Sequence, residues 1–210
     1  MADISEVRLV PESAALLMLD HQTGIMAGVA DIEPNAFRSN VLALAKVGQA
    51  YGLPVILSAS FADGPNGPLL ADLTGMFSDV KPIYRPGEIN AWDNPDVVRA
   101  VEATGRKQLV MAAVTTDVCL QFPAMSAAAA GYDVWAVMDC SGTWNTLVQQ
   151  AAMHRMTQAG VRVTTWVAIA AELQRDWRRP TGEKLAAIMG EHLPFYGMLA
   201  ANLKAAKGGG

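Results

Sequence analysis

Short apolar runs alternate with amphipathic segments along the chain, and each run has the length of a buried strand. The first run, Ala14–Leu19, holds six apolar residues and ends at Asp20. Unbroken runs of this length are typical of strands buried on both faces, as in a parallel sheet. The same reasoning predicts further strands at Val55–Ser58, at Lys81–Tyr84, from Lys107 onward, at Asp133–Asp139 and at Val161–Trp166.

The segments between these runs carry helix signals. Pro34 stands in the first turn of a predicted helix, and the apolar side chains that follow it recur at helical spacing. Other predicted helices cover Leu69–Met76, the stretch from Pro95 to near Gly105, the alanine-rich segment closed by Gly131, and Asn145–Ala159.

The alternation of strand and helix, repeated six times, predicts the fold class. It is typical of an α/β protein, here a three-layer α/β/α, doubly wound sandwich with right-handed crossovers. No internal repeat or linker interrupts the pattern. We therefore expect a single domain over residues 1–207 and a flexible tail over 208–210.

Composition indicates a large core and few charges. The chain is 51% hydrophobic and 17% charged, below the roughly 25% charge of an average globular domain. A chain with so few charged residues would expose apolar surface, which contacts between subunits would bury. We therefore expect a homo-oligomer, with an unusually apolar monomer as the alternative. The net charge of −4 and the lack of a basic run argue against a nucleic-acid partner.

Nothing in the sequence predicts a membrane partner. No apolar stretch reaches the roughly 18 residues that a spanning helix needs, and residues 1–6 do not resemble a signal peptide. We therefore expect a cytoplasmic protein. In that compartment its two cysteines, Cys119 and Cys140, are expected to be reduced thiols.

Three chemically active side chains are predicted at the carboxyl ends of strands, where open α/β sheets place their sites. They are Asp20, Arg85 and Cys119. A thiol on the first turn of a helix faces the positive end of the helix dipole, so we expect its pKa to be lowered. The acid can then remove the thiol proton and the cation can stabilise the thiolate, although separate structural roles remain open.

Other side chains near these strand ends are candidates for substrate binding. We expect Gln22 and Asn90 to contact a substrate carbonyl or amide, and Trp92 either to wall the pocket or to anchor another subunit. Cys140 is interpreted as structural. No histidines stand in the loop after the second strand, and there is no Gly-x-Gly-x-x-Gly or Walker motif, so neither a metal nor a nucleotide cofactor is predicted.

Several motifs resemble the isochorismatase-like cysteine hydrolase superfamily, and the resemblance covers nearly the whole chain. The motifs that carry it are Leu16–Gln22, Val114–Cys119 and Gly131–Asp139. The YcaC-type branch of that superfamily is the most similar, through Asp31–Pro34, Gly64–Pro68, Ile89–Asn94 and Glu172–Trp177.

The resemblance implies a six-stranded parallel sheet and an Asp-Lys-Cys triad. By position, Asp20 would be the general base and Cys119 the nucleophile, while Arg85 stands where the family has lysine. An arginine stays charged, so it could hold its neighbours electrostatically but would not carry protons. Lys81, four residues upstream, is the alternative for the lysine role.

The resemblance also implies a cis peptide between Val114 and Thr115, and an oxyanion site formed by the backbone N–H groups of Thr115 and Cys119. It implies an octamer and a hydrolase that cleaves a small amide, carbamoyl or ester-like substrate through a covalent cysteine intermediate. Two alternatives stay open: an isochorismate-type vinyl ether hydrolase, and an oligomeric thiol or scaffold protein without hydrolytic activity.

Overall fold

The computed structural model describes residues 8–208, so the predictions for residues 1–6 and for the last two glycines lie outside it. Its strands are β1 (Ala14–Leu19), β2 (Val55–Ser60), β3 (Ile83–Arg85), β4 (Gln108–Ala113), β5 (Asp133–Val137) and β6 (Arg162–Thr164). Its α-helices are α1 (Thr23–Met26), α2 (Pro34–Ala50), α3 (Ala71–Met76), α4 (Pro95–Ala103), α5 (Gln121–Ala129), α6 (Thr146–Gln158), α7 (Trp166–Gln174), α8 (Gly182–His192) and α9 (Pro194–Gly208).

The strands form one parallel sheet of six strands in the order β3-β2-β1-β4-β5-β6. Its centre is β1, which pairs with β4 from Ala14 opposite Gln108 to Leu19 opposite Ala113. Every residue of β1 is buried, as its unbroken apolar run predicts for a strand covered on both faces. The predicted α/β fold with a six-stranded parallel sheet is therefore confirmed.

Two apolar cores lie on the opposite faces of this sheet. Leu16 and Met18 of β1 contribute to the core beneath α2, α7 and α8. Leu17 and Leu19 contribute to the other core, beneath α4, α5 and α6. Because successive side chains of a strand point to opposite faces, one short run supplies both layers of the sandwich.

Helix starts follow the capping residues in the sequence. The Glu33 carboxylate accepts hydrogen bonds from the backbone N–H groups of Asn35 and Ala36 ahead of Pro34. Asn94 caps α4 in the same way ahead of Pro95. The predicted starts of both helices are confirmed, because a side-chain acceptor and a proline together suit the first turn of a helix.

Two boundaries near the sheet's carboxyl edge differ from the prediction. Strand β3 begins at Ile83 rather than Lys81 and contains Arg85 as its last residue. A five-residue π-helical turn, Thr116–Leu120, precedes α5, so Cys119 lies ahead of the regular helix.

Gly208 is the last residue of α9 rather than part of a tail. No helix in the described range is long and apolar enough to cross a membrane.

Candidate active site

A buried ion pair forms the base of the site. Asp20 directly follows β1, and its backbone N–H donates to the carbonyl of Ser58 at 2.8 Å. Arg85 ends β3, two strands away in the sheet. One guanidinium nitrogen of Arg85 donates to both carboxylate oxygens of Asp20, and the two side chains are 0% and 1% exposed.

The rest of the Arg85 guanidinium is also hydrogen-bonded. Its Nε donates to the Ser58 hydroxyl at 3.0 Å, and its Nη1 donates to the carbonyl of Glu88. The Ser58 hydroxyl in turn donates to the carbonyl of Ile83 at 2.9 Å. A planar fork held at all three nitrogens is fixed in orientation, and it keeps its charge. Lys81, the alternative for this role, is exposed and precedes β3.

The Cys119 thiol lies partly buried in the π-helical turn and lines a pocket of about 410 Å³. Burial raises the pKa of this thiol well above its ordinary value, and the negative charge of Asp20 raises it further. The Thr115 backbone N–H and the Arg85 charge oppose that rise only in part. The predicted lowering of the thiol pKa is therefore wrong, because desolvation and a neighbouring carboxylate outweigh the helix dipole.

The backbone N–H of Thr115 lies next to the Cys119 thiol. The Val114–Thr115 peptide is cis. The N–H of Thr115 donates to no oxygen within residues 8–208. Its interaction with the Cys119 thiol lowers the pKa of that thiol. Thr116 ties the turn to the loop after β5, because its N–H donates to the carbonyl of Gly142 at 3.1 Å. A free backbone N–H beside a thiol can receive an oxyanion.

The pocket walls are mainly apolar and come from separate loops and turns. The wall side chains are Ile25, Ile89, Val118 and Trp144. Sequence reasoning did not identify Ile25 or Trp144 as site residues. Only the position of Trp144 could have indicated a site residue, since it lies in the loop that follows β5 at the carboxyl edge of the sheet.

Gln22 is not among the residues that line the pocket, and its predicted contact with substrate stays a prediction. The side chain is completely buried, and its Nε2 donates to the carbonyls of Ser60 at 3.1 Å and Gly67 at 2.6 Å. Its Oε1 accepts from the Ser60 N–H at 3.0 Å. Both ends of the amide are thus used to hold the loop from Ser60 to Gly67, which forms one side of the pocket.

Asn90 and Trp92 also make contacts within the fold. The side-chain oxygen of Asn90 accepts from the backbone N–H of Trp92 at 3.0 Å, and its side-chain NH2 donates to the hydroxyl of Ser126 at 3.1 Å. Trp92 packs its ring edge-on against Tyr132 at 5.6 Å between ring centroids. The short 3₁₀ turn Ala91–Asp93 follows Asn90 and holds both side chains near α5 and the core, and neither lines the pocket. The predicted substrate contacts, and the alternative that Trp92 anchors another subunit, stay predictions.

A second thiol lies at the neighbouring strand end. Cys140 is fully buried, and its Sγ donates to the carbonyl of Asn40 at 3.3 Å. The Nε2 of His21 donates to the carbonyl of Cys140 at 3.0 Å. Burial lowers the pKa of His21 to about 4, so the imidazole is neutral at physiological pH. Among residues 8–208, no group of three or more histidines, cysteines and acids could hold a metal ion.

These observations define an α/β sandwich with an acid, a cation and a thiol at the carboxyl edge of its parallel sheet. The Isochorismatase domain model matches residues 14–168, which is more than half of the chain. The chain belongs to the isochorismatase family of hydrolases.

The most informative relatives are YcaC proteins. The chain is 50% identical to the probable hydrolase YcaC of Escherichia coli (strain K12) over 90% of this chain and 91% of that protein. The crystal structure of E. coli YcaC, described as an octameric hydrolase of unknown specificity, matches with a TM-score of 0.93 and 48% identity over 95% and 98% of the two chains. YcaC from Pseudomonas aeruginosa, described with hexane-2,5-diol and covalent acrylamide, matches with a TM-score of 0.92 and 50% identity over 94% and 97%.

Proposed function

We propose that the protein is a cysteine hydrolase that cleaves the C–N bond of a small amide or carbamoyl compound, or an ester-like bond, through a covalent intermediate on Cys119. The observation that carries the proposal is the meeting of three groups: a thiol open to a pocket, a buried carboxylate beside it, and an arginine that holds the carboxylate. Covalent acrylamide in the P. aeruginosa relative supports a reactive nucleophile in this branch of the family.

In the first half of the reaction, Asp20 acts as general base. Because burial raises the pKa of the Cys119 thiol, the resting group is the neutral thiol. As its sulfur attacks the substrate carbonyl, the thiol proton passes to the Asp20 carboxylate. The carbonyl oxygen becomes an oxyanion that accepts hydrogen bonds from the N–H groups of Thr115 and Cys119. Such donors each contribute about 3 kcal/mol to transition-state stabilisation.

In the second half, Asp20 acts first as general acid and then again as general base. The protonated Asp20 gives its proton to the leaving amine or alcohol as the tetrahedral intermediate collapses to a thioester. A water molecule then attacks the thioester carbonyl while Asp20 accepts a proton from it, and Cys119 leaves as the thiol by taking that proton back from Asp20, which regenerates the carboxylate. Arg85 stays protonated throughout and keeps the carboxylate in place.

Trapping the covalent intermediate tests this proposal. The protein is mixed with a panel of small amides and esters, quenched in acid, and analysed by intact mass and peptide mapping. We expect a mass increase equal to the acyl group on Cys119 in the native protein. No increase is expected in Cys119→Ala, whereas Cys140→Ala serves as the matched control and should keep the adduct.

The outcome also separates the proposal from its alternatives. Turnover by Cys119→Ala at the native rate would exclude cysteine catalysis and favour a reaction in which only the aspartate acts, as in vinyl ether hydrolysis. Absence of any adduct or turnover across the panel would favour a thiol or scaffold protein without hydrolytic activity.

We also propose that the protein is a cytoplasmic homo-oligomer that acts on a small molecule, with no nucleic-acid or membrane partner. Helix α9 supports self-association, because its large apolar side chains Phe195, Met198, Leu199 and Leu203 are each 57–66% exposed. E. coli YcaC is an octamer, so we propose the same number here. Light scattering after size exclusion tests this, and a monomer of 22.3 kDa would contradict it.

A further inference from the structure

The two charges that act on the Cys119 thiol, those of Asp20 and Arg85, are already neutralised inside the protein. Asp20 and Arg85 are paired with each other, and every guanidinium nitrogen of Arg85 donates to an oxygen of Asp20, Ser58 or Glu88. A ligand carboxylate that reached this point would find no free cation. It could bind Arg85 only by displacing Asp20, which would leave one of two carboxylates buried without a partner.

The walls beside the ion pair offer an anion no charged partner. Among the described residues that line the pocket, none carries a charge, and the large side chains are Ile25, Ile89, Val118 and Trp144. The only side-chain amide among the lining residues described, that of Asn66, already donates to the carbonyl of Ser60 at 2.9 Å. Burying an unpaired carboxylate against such a surface is unfavourable, whereas burying an alkyl group is favourable.

The charged neighbours of the wall residues are acids. Glu88 precedes Ile89, and its carboxylate accepts from the amide of Asn94 at 3.1 Å. Asp117 precedes Val118, and its carboxylate accepts from the Thr143 hydroxyl at 2.8 Å. Negative charge on the residues that precede two of the wall positions adds repulsion to the cost of desolvating an anion.

We infer that the pocket selects an uncharged, largely apolar acyl group and rejects substrates that carry a carboxylate near the scissile bond. The substrate class is thus the small neutral amides, carbamoyl compounds and esters. Naming a substrate class rests on the proposed function. The selection itself does not, because it concerns which groups can reach Cys119.

Alkylation by a matched pair of reagents tests the selection without requiring hydrolysis. Iodoacetamide and iodoacetate have nearly the same size, and both form a carbon–sulfur bond as the carbon–iodine bond breaks and the thiol proton is lost. One is neutral and the other is an anion at neutral pH. The rate at Cys119 is measured for each reagent by peptide mass, and the ratio of the two rates is compared with the ratio for free glutathione.

We expect the iodoacetamide-to-iodoacetate ratio at Cys119 to exceed that of glutathione by at least about tenfold, the factor that corresponds to about 1.4 kcal/mol. A ratio equal to that of glutathione would overturn the inference. So would the absence of labelling by iodoacetamide, since a pocket that selects neutral groups must admit it. A failure to trap any acyl adduct would instead count against the hydrolase proposal alone.

A variant that adds charge to the wall gives an independent check. Ile89 is 64% exposed at the pocket, so Ile89→Lys is compatible with folding. We expect this variant to lower the rate ratio at least about threefold, because a lysine supplies the missing cation. Gln158→Lys adds the same charge at the last residue of α6 and should leave the ratio unchanged. An unchanged ratio in Ile89→Lys would also overturn the inference.

Discussion

The two cysteines lie in similar surroundings and yet differ in how accessible their thiols are to a reactant. Cys119 follows β4 and Cys140 follows β5, and each thiol lies near a carboxylate, that of Asp20 or that of Asp139. Burial raises the pKa of both thiols. A lowered thiol pKa therefore does not distinguish the candidate nucleophile from the structural cysteine.

Access and the state of the neighbouring acid do distinguish them. Cys119 lines a pocket, whereas Cys140 is completely buried and donates to the carbonyl of Asn40. Asp20 is held by Arg85, while one carboxylate oxygen of Asp139 accepts from the backbone N–H of Trp166 at 2.9 Å. In the proposed mechanism, reactivity therefore depends on a base next to the thiol and on an open route to it, rather than on a resting thiolate.

Replacing each acid by its amide should give the largest contrast. Asp20→Asn removes the proposed base and leaves the Arg85 charge buried without a partner. We expect activity to fall by about 10³-fold or more and the free energy of unfolding to fall by about 3–5 kcal/mol. Asp139→Asn keeps an oxygen for the Trp166 N–H, so its stability should change by about 1 kcal/mol or less.

Urea unfolding and turnover of whichever substrate is trapped measure both effects. Residual folding of Asp20→Asn is established by circular dichroism before its activity is compared. Equal losses in the two variants would mean that the two acids are equivalent, and the contrast between the cysteine sites would fail.

The arginine should resist conservative replacement. In Arg85→Lys an ammonium can reach Asp20 but cannot also satisfy Ser58 and Glu88 in the same plane. We expect turnover to fall about 10–100-fold and stability by about 2 kcal/mol. Arg99→Lys, at an exposed ion pair with Asp96, is the control and should change stability by less than about 0.5 kcal/mol. Activity of Arg85→Lys at or above the native level would show that the fork geometry is dispensable.

His21 connects the two sites, because it follows Asp20 in the chain and donates to the Cys140 carbonyl. Its pKa is lowered from 6.5 to about 4 by burial, so the unfolded chain takes up a proton before the folded one does. Stability is thus fully present above pH 6.5 and is lost as the pH falls from 6.5 to about 4, by about 3 kcal/mol in total.

Measuring unfolding free energy across that pH range in the native protein and in His21→Gln isolates the contribution of His21. The glutamine amide extends to the position of the imidazole Nε2, so it can still donate to the Cys140 carbonyl, but it does not titrate. We expect the pH slope to be shallower in the variant. Parallel slopes would show that other groups cause the acid sensitivity.

The smallest expected effect is an absence of thiolate signal. Because the pKa of each thiol is raised, the ultraviolet absorbance of a thiolate should not appear below about pH 9. The difference spectrum between the native protein and Cys119→Ser reports Cys119, and Cys140→Ser reports the other thiol. A Cys119 signal at neutral pH would restore a resting thiolate and remove the need for Asp20 as base.

The sequence predicted the scaffold better than the pocket, for a physical reason. The apolar run of β1 and the proline starts of α2 and α4 depend on local chemistry, and the structure has them where they were predicted. The partners that hold Gln22, Asn90 and Trp92 could not be predicted, because most of them lie in distant segments. No local pattern reveals that both ends of an amide are already hydrogen-bonded.

The same limit applies to the candidate site. Asp20, Arg85 and Cys119 could be placed together because carboxyl ends of parallel strands share one edge of the sheet. The sign of the Cys119 pKa shift could not be predicted, since it depends on how much water the pocket admits and on the distance to one carboxylate. Both are properties of packing between elements rather than of the residues around the cysteine.

The separation of walls from base has a consequence for how this protein can diversify. The ion pair and the thiol lie at the carboxyl ends of strands β1, β3 and β4, whereas Ile25, Ile89 and Trp144 lie outside the sheet on segments that can change without disturbing it. Mutation of these few positions can shift substrate range while the reacting groups are inherited intact. Relatives with half of their residues in common can therefore share a reaction and differ in the molecules they consume.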